Sequence, residues 1–63
     1  MNSTAIALLA ELPDIAERTA EQLKQLHAEP SAVRAELMAL QAEGLARHAR
    51  RLHEELRRER YAA

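Results

Sequence analysis

Apolar side chains recur along the chain at alternating steps of four and three. From Ala5 the stripe runs through Leu9, Leu12, Ala16, Thr19, Leu23 and Leu26, the spacing of residues that share one face of an α-helix. It stops at Glu29-Pro30-Ser31. A proline drives the residue before it out of the α region, and a serine offers its hydroxyl as an N-cap to the helix that follows. A second stripe begins beyond the break with Ala35, Met38, Ala42, Leu45, Ala49, Leu52 and Leu56. β-branched residues are few, and nearly every other position carries a good helix former. The pattern predicts an all-α chain forming one helical-hairpin domain over residues 1–63. Helix 1 covers about 3–28, the turn 29–31, and helix 2 about 31–61. So short a turn makes the two helices antiparallel.

Pro13 sits inside helix 1. It lacks the N–H that an interior helical position needs, so the helix is kinked or broken there. Leu12-Pro13-Asp14 also reads as a helix start, with proline early and an acid in the first turn. The apolar phase nevertheless crosses the proline without a slip, and a kink between Leu9 and Pro13 keeps the stripe on one side.

Helix 2 carries more apolar surface than a hairpin can cover. Alanine occupies three successive a positions while Met38, Leu45 and Leu52 hold d, a small-and-large alternation suited to close antiparallel packing. Val33, Leu37, Leu40, Gly44 and His48 form another stripe beside it. A helix apolar on two adjacent faces has two neighbours, and one hairpin supplies only one.

Composition strengthens this reading. The 63 residues include 14 alanines and 10 leucines but no Cys, Trp or Phe. A core this small usually needs a staple, and without cysteine it cannot be a disulfide. Self-association is the expected answer: a homodimer, coiled-coil-like in its packing, forming a four-helix bundle. Its expected seam is Leu9, Leu12, Ala16, Leu23, Leu26, Ala35, Met38, Ala42, Leu45, Ala49, Leu52 and Leu56.

The residues give little sign of catalysis. Hydroxyls are confined to Ser3, Thr4, Thr19, Ser31 and Tyr61; all but Thr19 fall near helix ends, and Thr19 suits a buried spacer bonding its own backbone. No glycine-rich loop offers a phosphate cradle, and no spacing suggests a nucleophile and its base. We expect no enzyme and no cofactor. His48 and His53 are five apart, where helical metal ligands sit three or four apart, so no metal site is expected.

Net charge is −1 but unevenly spread. Residues 1–43 hold three bases against seven acids, and residues 44–63 six arginines against three acids. Such segregation bears on partners. Candidate partner-binding residues are Ile6, Leu8 and Ile15 on a spare flank of helix 1, and Leu37, Leu40, Gly44, Arg47, His48, Arg50, Arg51, Arg57 and Arg58 on helix 2. The expected function is that of a dimeric regulatory module that binds another protein as adaptor, inhibitor or assembly factor. The alternative is a nucleic-acid-binding regulator using the basic half of helix 2, less favoured because three acids interleave the arginines and only Tyr61 is aromatic. The apolar run at 5–10 is too short for a signal core or a bilayer span, so no membrane is expected and a cytoplasmic location is the default.

Overall fold

A computed structural model describes the backbone of residues 1–62 and the side chains of residues 1–60. Three helices follow in order: α1 Ser3–Ala10, α2 Leu12–Ala28 and α3 Ala32–Ala62. Among the described residues there is no strand, no cis peptide bond and no positive φ. The chain is an all-α hairpin with a bent first arm. The Tyr61 hydroxyl lies outside the described side chains.

Asn2 caps the first arm. Its extended backbone turns the chain in, and its Oδ1 accepts the Ala5 N–H at 2.8 Å, satisfying one of the donors a helix start leaves over. The bend falls at Glu11, two residues before the proline. Glu11 keeps helical dihedrals (φ −81°, ψ −16°), so the path deflects without turning back. Pro13 occupies the first turn of α2, where its missing N–H costs nothing, and the Ile15 N–H bonds the Glu11 carbonyl at 3.1 Å. One proline therefore both interrupts α1 and starts α2.

At the far end Glu29, kept out of the α region by Pro30 (φ −137°, ψ 80°), leaves α2, and its N–H still bonds the Gln25 carbonyl. Ser31 caps α3 by accepting the Arg34 N–H at 3.1 Å. Arg34 reaches back across the turn to Glu29 at 2.9 Å.

The hairpin measures 49 × 16 × 12 Å, one helix thick in its shortest dimension. α3 packs against both α1 and α2. Among the described residues only Ala5, Leu8 and Ile15 are buried. The line of α3 that meets the other arm is Arg34, Met38, Gln41, Leu45, His48, Leu52, Glu55 and Glu59, each partly covered. It shares Met38, Leu45 and Leu52 with the expected seam and replaces the alanines with polar residues. Opposite it lie the partly covered Leu9, Leu12, Thr19, Gln22 and Leu26.

Candidate functional site

The shape leaves two broad sides, divided by Ile15 and Leu45, which line a cleft on each. The first cleft is walled by Leu12, Ala16, Thr19, Ala20 and Leu23 of α2. Next to it on α3 runs an alanine row, Ala32, Ala35, Ala39, Ala42, Ala46 and Ala49, at alternating steps of three and four. Every one is exposed except Ala46, which is partly covered, and Leu23 and Leu56 on the same side are exposed as well. Half of the expected seam, Ala16, Leu23, Ala35, Ala42, Ala49 and Leu56, thus faces outward on a single side of the hairpin.

The second side differs. Its cleft is lined by Glu11, Arg18, Leu40, Gln41, Gly44 and His48 around the same floor. Val33, Leu37 and Leu40 stand exposed along the neighbouring edge of α3, Val33 at 67% and Leu40 at 55%. A Cβ built on Gly44 meets only Arg47 Nη2, at 3.8 Å, which is ordinary contact. No backbone approaches it, so packing within the chain does not require glycine here.

Three sequence-selected residues are placed differently from expectation. Leu8 and Ile15 are buried, at 4% and 8% exposure, because the bend at Glu11 turns their faces of α1 and α2 onto α3. Of that proposed flank only Ile6 remains outside, at 55%. His48, expected on the exposed stripe with Gly44, instead lies in the seam, its side chain only 10% exposed.

His48 answers a need that the bend creates. With α1 ending at Ala10 and α2 starting afresh, no backbone N–H bonds the Leu8 carbonyl across the break. The imidazole Nε2 lies 2.7 Å from that oxygen and donates to it, so the acceptor is not buried unpaired. Nδ1 lies 3.3 Å from Glu11 Oε2, an ion pair whenever the ring carries both protons. Periodicity alone could not find this residue. The available signal was Pro13 itself: a helix interrupted there frees carbonyls one turn upstream, and the facing helix at that level carries a donor.

The open end is closed by polar contacts. Asn2 donates from its backbone N–H to Glu59 and from Nδ2 to Glu55 Oε2 at 3.1 Å. Arg58 pairs with Glu55 at 3.3 Å. Glu55 lies in the seam beside Asn2, so this i,i+3 pair joins the same polar group. Arg47, Arg50 and Arg51 are exposed and enter no ion pair among the described residues. His27 and His53 are exposed and meet neither each other nor His48, and no group of three or more His, Asp or Glu among the described residues is placed to hold a metal ion. No described helix is long and apolar enough to cross a membrane.

Comparison with protein-family models, with curated proteins and with solved structures returned no match.

Proposed function

We propose that the chain is a non-enzymatic interaction module. A helical hairpin pairs with a second copy through its alanine–leucine side to form a four-helix bundle, and docks another protein on the opposite side as adaptor, inhibitor or assembly factor. One observation carries this reading: apolar side chains are exposed on both broad sides, while among the described residues only Ala5, Leu8 and Ile15 are buried between the arms. Contiguous apolar surface on a small chain marks an interaction face, and a core of three residues is too little to hold one hairpin alone. The Val33, Leu37 and Leu40 edge, with Arg47 and Arg51 following on the same side of α3, suits an amphipathic helix with apolar and acidic positions.

Light scattering at about ten micromolar tests the first half: a dimer is expected, and a fully helical, monodisperse monomer overturns it. Affinity capture from the native host tests the second. A Leu37→Glu, Leu40→Glu chain is expected to remain a dimer and to lose the captured protein; capture unaltered by both charges removes the edge from consideration.

The exposed, unpaired Arg47, Arg50 and Arg51 support a second reading, binding to nucleic-acid phosphates. It requires an affinity that falls steeply as salt rises. Absence of binding to mixed RNA and duplex DNA at low salt ends it.

A further inference from the structure

Building on the self-association proposed above, we propose that the two copies pack antiparallel, α3 on α3, about a two-fold axis crossing α3 near Ala46. The evidence is the order of charge along one line of the helix. Glu36, Glu43, Arg50 and Arg57 recur every seven residues, so they share one edge of α3, on the outer border of the alanine row. Two acids are followed by two bases. A two-fold axis perpendicular to the helices lays this edge against itself in reverse. Glu43 then stands opposite the partner's Arg50, and Glu36 opposite the partner's Arg57; symmetry repeats both pairs.

The same alignment satisfies the packing. Ala46 lies at the axis, Ala42 meets the partner's Ala49, and Leu56 meets the partner's Ala35. Small residues at the centre let the backbones approach, and the large side chain at each end covers a small one. Within the chain, Glu36, Glu43 and Arg50 take no part in ion pairs among the described residues, so their charges are available to a neighbour.

The competing arrangement puts both turns at the same end and lays α3 on the partner's α2. Levels along the hairpin are fixed by the Gln41–Thr19 hydrogen bond at 3.3 Å, so Glu43 would come opposite the partner's Glu17. Two like charges would face each other, with Glu36 and the partner's Lys24 as the compensating pair. Each exposed ion pair is weak on its own. Their sum is attractive in the antiparallel arrangement and cancels in the competing one, which is how flanking charges choose orientation in helical assemblies.

The absence of cysteine makes a direct measurement possible. A nitroxide on Ala28→Cys, an exposed position at the end of α2, reports the separation of the two turns by pulsed dipolar spectroscopy. At about 1.5 Å per residue from the axis, the antiparallel dimer gives about 40–45 Å. A distance under about 20 Å, the width of two packed helices, overturns the orientation and leaves the dimer standing. No dipolar coupling at tens of micromolar overturns both.

Charge reversal supplies an independent arm. Glu43→Arg alone and Arg50→Glu alone are each expected to weaken dimerisation about tenfold, since each removes two symmetry-related pairs and sets like charges opposite. The combined variant restores the pairs and should return to within about threefold of the parent. Simple addition of the two losses overturns the proposed pairing.

Discussion

The two ends of the hairpin are held by different means. From the bend to the open end, Ala5 and Leu8 are buried, His48 bonds the freed Leu8 carbonyl, and Asn2 caps α1 while reaching Glu55 and Glu59. Between the bend and the turn only Ile15, next to the bend, is buried. Toward the turn, Leu23, Val33, Leu37 and Leu40 stand exposed, and the middle of the seam carries a polar layer in which Gln41 donates to Thr19. Gln22 Oε1 is buried there without a hydrogen-bond partner among the described residues. One end is tied together by the chain's own polar contacts, with Ile6 and Leu56 still exposed there; the other leaves its apolar surface largely open. A chain this thin does not divide its stability evenly.

Substitutions that separate the two ends differ widely in expected effect. Leu8→Ala removes a buried side chain at the open end and should destabilise by about 3 kcal/mol, while Leu37→Ala at the turn end should change stability by less than about 0.5 kcal/mol. Chemical denaturation of both measures the contrast, and equal losses would erase the distinction. His48→Ala leaves the Leu8 carbonyl buried and unpaired, at a cost of about 2 kcal/mol. Hydrogen exchange should place that loss in α1 and the first turn of α2, so loss spread evenly over α3 would count against the role given to His48.

Smaller effects sharpen the other end. Gln22→Leu removes the unpartnered oxygen and should stabilise by about 1 kcal/mol, read as a higher denaturation midpoint. Gly44→Ala should add about 0.5–1 kcal/mol, because alanine is the better helix former and the added methyl meets only the Arg47 tip. If the second side receives a partner, the same methyl should weaken that complex while the isolated protein gains stability. A stability loss in the isolated protein would mean that the Gly44 face is already occupied.

How much of this the sequence disclosed follows from what periodicity encodes. The alternating stripe and the Glu29-Pro30-Ser31 break carried the antiparallel hairpin, because helix formation and its interruption are local. The d positions Met38, Leu45 and Leu52 were legible as seam residues for the same reason, and they lie partly covered against the other arm. The a-position alanines were harder to place: a stripe one face wide does not say which of its edges meets the chain's own arm. In the fold Gln41, His48 and Glu55 take that edge and the alanines turn outward. Leu8, Ile15 and His48 were misplaced because the bend redirects their faces, and the size of a bend depends on tertiary contacts that no residue spacing records. The reach of Asn2 to Glu55 and Glu59 joins residues more than fifty positions apart, which no local pattern records.

The bend has a further consequence for how the arms find each other. A seam built on a seven-residue repeat is nearly degenerate: slide one helix by a heptad and most apolar contacts reform with a different partner. Two straight, alanine-rich arms would invite such slippage. α1 and α2 are not collinear and α3 is continuous, so only one axial setting seats the bend beside His48 and the freed carbonyl beside its donor. Pro13 therefore acts as an index mark, and the chain gains a single register from the residue that interrupts its helix.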